Sequence, residues 1–172
     1  MKLVTKITLF SIVSLVGISI LSCTKAKSIP TIPKIEFKSF NVYGHDSATV
    51  IIKFQDGDGN IGLTQADTSG SFSSTSPYYC NFFMKYYFKK SDGTFSAYTD
   101  PNTGDTLLNN NYRIPDLRPK GQNKVLEGEI KAKILAPYHK VGVHKVIRFD
   151  LYIYDRDLNK SNVVNTGEIN LW

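Results

Sequence analysis

The stretch VLEGEIKAKIL (125–135) carries the clearest period in the chain: Leu126, Ile130, Ala132 and Ile134 alternate with Glu127, Glu129, Lys131 and Lys133. Successive strand side chains point to opposite faces, so this alternation gives one buried and one wet face. The same period of two recurs elsewhere. In KIEFKSF (34–40), Ile35 and Phe37 alternate with Glu36 and Lys38; in SATVIIKF (47–54), Val50, Ile52 and Phe54 oppose Thr49 and Lys53. In 143–153, Val143, Ile147, Phe149, Leu151 and Ile153 oppose His144, Arg148 and Asp150, which puts His144 on a wet face. No segment shows convincing helical periodicity, and no repeat of solenoid length is visible. One-sided alternation is the signature of antiparallel sheets that cover a core on one side only, so the expected class is all-β.

Seven strands are predicted, near 35–42, 47–55, 79–90, 93–98, 125–135, 143–154 and 163–171. Short strands separated by turns suggest an antiparallel two-sheet sandwich of immunoglobulin-like form. The aromatic run YYCNFFMKYYF (78–88) has apolar even positions, which suit the core, and mixed odd positions that send Tyr79, Phe83 and Tyr87 outward. Either a loop covers those three rings or they form a binding surface. Two long loops could provide cover, 64–77 and 99–124, both rich in Gly, Pro, Ser, Thr, Asn and Asp. A short strand near 106–113 is expected inside the second.

The amino terminus reads as an address. Lys2 and Lys6 precede the uncharged apolar stretch LFSIVSLVGISIL (9–21), and Cys23 follows at once in LSC. A short apolar segment with basic flanks is a secretory signal rather than a spanning helix. The LSC ending resembles the lipobox of bacterial lipoproteins. That resemblance implies cleavage before Cys23 and lipidation of its thiol and new amino group, so residues 1–22 would be absent from the mature chain. Several acyl chains give stable membrane anchoring. By likeness to lipoprotein sorting, Thr24 in place of an aspartate implies the outer membrane. The lack of an acidic cluster after it implies the periplasmic face. Residues 23–33 form a proline-bearing tether, and 34–172 a single domain, since the length suits one core. With Cys23 lipidated, Cys80 has no partner and is expected as a small buried hydrophobe.

Loss of the signal removes two lysines and no acid, taking the formal charge from +6 to +4. The remaining bases are scattered, which argues against a nucleic-acid role. Lys25, Lys27, Lys34 and Lys38 either meet anionic headgroups or simply solvate the tether.

Two acidic turns share the spacing D-x-D-x-N: Asp56, Asp58 and Asn60 in FQDGDGNIGL (54–63), and Asp155, Asp157 and Asn159 in YDRDLNKSN (154–162). Alternating oxygen ligands are what hard cations such as calcium take. The first turn is no EF-hand, because its sixth position is Ile61 rather than glycine. The two Asp-Gly pairs also make a hairpin turn by themselves. In an immunoglobulin-like sandwich the loops leaving the second and sixth of the seven strands share one end. Six oxygen-bearing side chains would then crowd one rim and repel unless cations, amides, or Arg156 and Lys160 neutralise them.

The segment FDLYIYDRDLNKSNVVNTGEI (149–169) resembles the last hairpin of immunoglobulin-like and fibronectin-like bacterial domains. DGDGNIGL (56–63) after a strand resembles a group of bacterial lipoproteins bearing a DGDG(D/N)IG motif, which implies a lipid-anchored β-sandwich and no particular activity. His45, His139 and His144 lack metal-ligand spacing, and no nucleophile elbow, phosphate loop or zinc motif occurs. Glu127 and Glu129 sit on a wet face. The sequence therefore reads as a non-enzymatic envelope module that binds a protein partner. Its alternatives are a glycan-binding module using Tyr79, Phe83 and Tyr87, and a calcium-stabilised structural domain.

Overall fold

The structure is a computed structural model that describes residues 29–43, 47–135 and 144–171. The signal, Cys23 and most of the tether lie outside these residues. Among the described residues nine strands follow in order: β1 (Lys34–Tyr43), β2 (Ser47–Asp56), β3 (Phe82–Lys89), β4 (Phe95–Ala97), β5 (Asn110–Tyr112), β6 (Leu126–Leu135), β7 (Val146–Ile153), β8 (Val164–Asn165) and β9 (Ile169–Asn170). A single 3-10 turn spans Gly70–Phe72, and among the described residues no helix is long and apolar enough to cross a membrane.

All pairings between these strands are antiparallel, in two sheets: β1-β2-β6, and β4-β3-β7-β8 with β5 also on β3 and β9 also on β7. This is the expected β-sandwich, with the second strand leaving one sheet to start the other. The registers explain the core. Val50 faces Ala132 and Ile52 faces Ile130 across β2 and β6; Met84 faces Leu151 and Tyr86 faces Phe149 across β3 and β7. These residues are all buried, together with Ile35, Phe82, Ile134, Ile147 and Ile153. The alternation read from β1, β2, β6 and β7 is thus the inward face of each sheet. Removing one such side chain from water contributes about 1.5–3 kcal/mol.

Four sequence expectations shift. The aromatic strand starts at Phe82 rather than 79, so Tyr78 and Cys80 are half-buried outside it. Desolvation raises the free Cys80 thiol, which makes it a poor nucleophile. The long 99–124 segment joins the sheet edge instead of lying over the face: β5 pairs with β3, and Ile114 enters the core. Its anchor is the buried Asn81, whose side-chain oxygen accepts the Ile114 amide at 2.6 Å while its main-chain N–H donates to the Tyr112 carbonyl at 3.0 Å. The last strand is split in two, with Gly167 in the left-handed region between the halves. Side-chain hydroxyls on either side of β8 bind β7: Ser161, before it, and Thr166, after it, accept the amides of Ile153 and Phe149, both at 3.0 Å.

His144 is the fourth. It lies before β7, where alternation has not begun, and it is buried rather than wet. Its ring stacks on Phe88 at 4.0 Å, meets Tyr98 edge-on, and its Nδ1 is 3.1 Å from the Tyr86 hydroxyl. Desolvation lowers its pKa from 6.5. A depressed histidine contributes stability that is present above pH 6.5 and lost as pH falls through the folded value. In an NMR titration His144 should therefore reach its midpoint below 6.5, and melting temperature should drop over the same window. A midpoint at or above 6.5 would contradict its burial.

Candidate functional site

The two acidic turns meet. β2 ends at Asp56 and β7 at Ile153, and the loops beyond them lie at one end of the sandwich. The Arg156 amide donates to the Asn60 carbonyl at 3.2 Å, and the Asn60 side-chain amide donates to Asp157 at 2.9 Å and to Asp58 at 3.2 Å. Their backbones are alike. In each, the first aspartate accepts the amide of the asparagine four residues on, Asn60 to Asp56 at 2.9 Å and Asn159 to Asp155 at 2.7 Å. In each, the fourth residue is left-handed, Gly59 and Leu158 both at φ 66°. Leucine there costs about 1–2 kcal/mol of strain, so the surrounding turn overrides its preference.

The turns differ in how their oxygens are satisfied. In the second, Asn159 fills both carboxylate oxygens of Asp155, its side-chain amide donating at 2.8 Å. In the first, Oδ1 of Asp56, Oδ1 of Asp58 and Oδ1 of Asn60 are all sealed from solvent without a donor. Burial pushes the Asp56 carboxyl up to about 6, with the charges of Asp58 and Asp155 adding to the push and the Asn60 amide opposing it. Asp155 is also raised, chiefly by burial. The six residues are therefore brought together, and three of them carry an oxygen that is both sealed from solvent and without a donor.

Neither basic residue expected to neutralise the turns does so. The Arg156 guanidinium grips both oxygens of Asp67 at 2.8 Å and the Gly62 carbonyl at 3.1 Å, holding Asp67 well below the usual carboxylate range. The Lys160 ammonium lies 4.1 Å from the Tyr152 ring centroid. Asp67 is thus an arginine partner.

The DGDGNIG motif is not a hairpin, since β2 and β3 belong to different sheets. Its glycines instead admit three main-chain segments. A Cβ at Gly57 would sit 2.1 Å from the Ile29 carbonyl oxygen, one at Gly59 2.0 Å from that of Lys124, and one at Gly62 2.0 Å from that of Pro115. The tether is consequently not free at its far end: the Gly57 amide donates to Pro30 at 2.9 Å. Spacing alone could not reveal these contacts, because the partners lie 27 to 65 residues away in the chain.

The second candidate surface is the outer face of the six-stranded sheet. Phe83 faces Tyr152, Lys85 faces Asp150, and Tyr87 faces Arg148 across β3 and β7. The Phe83 and Tyr152 rings stack at 5.0 Å and 5°, and Tyr154 meets both edge-on. The Arg148 guanidinium lies 5.2 Å from the Tyr87 ring and 4.7 Å from that of Phe95, and pairs with Asp150 at 3.2 Å. Phe83 and Tyr87 therefore share the face as expected. Tyr79 does not join them; its ring lies 4.7 Å under Arg113, which donates to its carbonyl.

On the other sheet a shallow groove is lined by Lys34, Glu36, Lys53, Glu127 and Glu129 beside Gly128. Lys38 pairs with Glu129 and lowers its pKa. An ionised, exposed carboxylate interleaved with lysines suits a solvated face better than acid catalysis. Comparison with protein-family models, curated proteins and solved structures finds no match for this chain.

Proposed function

We propose that the chain is a non-enzymatic, lipid-anchored module of the bacterial outer membrane that binds a protein partner through the outer face of its six-stranded sheet. The observation that carries this reading is the state of the ring faces. Stacking a sugar needs an open aromatic face, whereas Phe83 and Tyr152 cover each other and Tyr87 and Phe95 flank Arg148. What remains is ring edges, an arginine, the exposed Lys85 and the half-buried Asp150. Aromatics and arginine are the residues enriched in protein–protein contacts, where they form rigid, amphipathic anchors. The anchor through Cys23 would confine the module to the membrane surface, and any partner with it.

Crosslinking in intact envelopes tests both halves. The wild-type chain should give one discrete adduct, and Lys85→Glu combined with Tyr87→Ala should abolish it without lowering the melting temperature by more than a few degrees. Cys23→Ser should release the chain into the soluble fraction. Persistence of the adduct in the double variant would overturn the face assignment, and continued membrane association of Cys23→Ser would overturn the anchor. Glycan binding that survives Tyr79→Ala but not Tyr87→Ala would favour the sugar reading instead.

A further inference from the structure

We infer that the first acidic turn is a calcium site in which Oδ1 of Asp56, Oδ1 of Asp58 and Oδ1 of Asn60 are the protein ligands. This goes beyond the outer-face reading and is independent of it. An acidic cluster alone would not suffice, but Asp56 is 0 % exposed and its Oδ1 has no donor. A buried carboxylate oxygen without a partner is strongly unfavourable, and native proteins leave few such groups. Two such carboxylate oxygens and one unpaired amide oxygen occur here on alternate residues of one turn. The nearby counter-charges are engaged elsewhere, Arg156 with Asp67 and Lys160 with Tyr152. Asp155 and Asp157 add negative charge from the facing turn, with Asp157 tied to Asn60. Four aspartates are thus gathered around the turn with no basic side chain on their carboxylates.

The donor set is hard: carboxylate and amide oxygen, with no sulfur or imidazole, which selects calcium or magnesium over transition metals. Calcium accepts irregular shells of six to eight oxygens, whereas magnesium demands a near-ideal octahedron. Among the described residues no three aspartate, glutamate, histidine or cysteine side chains converge as a metal cage. The ion would therefore take the Asn60 amide as its third protein ligand and complete its shell with water. Three side-chain ligands place the affinity near that of extracellular modules, about 0.1–1 mM. Because the Gly57 amide holds the Pro30 carbonyl, the ion would also tighten the point where the tether enters the domain.

The alternative is a proton shared between Asp56 and Asp58, which would serve the two carboxylate oxygens without metal but leave Oδ1 of Asn60 unpaired. The full chain, stripped with chelator, should melt about 4 °C or more higher in roughly 5 mM calcium than in chelator. Magnesium should do less. Asp58→Asn should fold in chelator and lose at least half of the calcium shift, and calorimetric titration should show one site in the wild type and weakened binding in the variant. Should Asp58→Asn not fold, Asp157→Asn serves instead, with weaker calcium binding expected from the lost charge. Equal melting temperatures in calcium and chelator, or full calcium binding by the variant that folds, would overturn the site and leave the shared proton.

Discussion

Gly62→Ala is expected to destabilise the domain by about 3 kcal/mol or more, a melting-temperature loss of roughly 10 °C. Two effects combine. Gly62 has φ 99°, a conformation that L side chains rarely adopt, and an added Cβ would stand 2.0 Å from the Pro115 carbonyl oxygen. That oxygen belongs to main chain, so relief requires moving the 114–117 segment. The segment is held on both sides, by Leu63 donating to Ile114 at 2.8 Å and Leu117 donating to Ile61 at 3.0 Å. Gly70→Ala separates the two causes. Gly70 also has positive φ, at 56°, but nothing lies within 4 Å of its Cβ position. It should cost only the backbone term, about 1–2 kcal/mol. Equal losses in the two variants, measured by urea unfolding, would show that the close approach at Pro115 carries no weight.

Phe149→Ala is the second large effect, about 3–5 kcal/mol. Phe149 is wholly buried and joins the two sheets, stacking on Phe40 of β1 at 5.8 Å and meeting Tyr86 of β3 edge-on at 5.6 Å. Alanine would leave a cavity bounded by two strand ladders whose spacing is set by hydrogen bonds and cannot collapse to fill it. The Phe149 amide keeps its bond to the Thr166 hydroxyl, so the loss reports packing alone. Tyr152→Ala provides the contrast, since that residue is also buried but its ring stacks on Phe83 on the outer face rather than between the sheets. A Phe149→Ala loss below about 1.5 kcal/mol in reversible denaturation would mean the sheets are not coupled through this ring.

Much of the sandwich was legible because a strand's period of two is local. A reader of Leu126 to Ile134 or of Val50 to Phe54 needs no partner to see which face is apolar. Legibility failed where period and strand part company. His144 precedes β7 and escapes its alternation, and the last strand breaks where Gly167 turns into the left-handed region between β8 and β9. In the 99–124 segment the short strand expected near 106–113 is present as β5, but its place on the edge of β3 is set by pairing that composition does not reveal.

At the acidic turns the oxygen-rich chemistry and the alternating spacing are local and legible in the sequence. The two loops share one end only if the sandwich is immunoglobulin-like, and it is the folded chain that brings them together. The sequence could not decide which oxygens are free. That depended on Asn159 closing over Asp155 while Asn60 turned its amide nitrogen toward Asp58 and Asp157. Nor could it show that Arg156 leaves its own turn for Asp67, 89 residues away. A charge's partner is a matter of distance through space, and only the folded chain sets that distance. The glycines of DGDGNIG follow the same rule: composition marked them as turn formers, and tertiary structure made them the places where three carbonyls press against the turn.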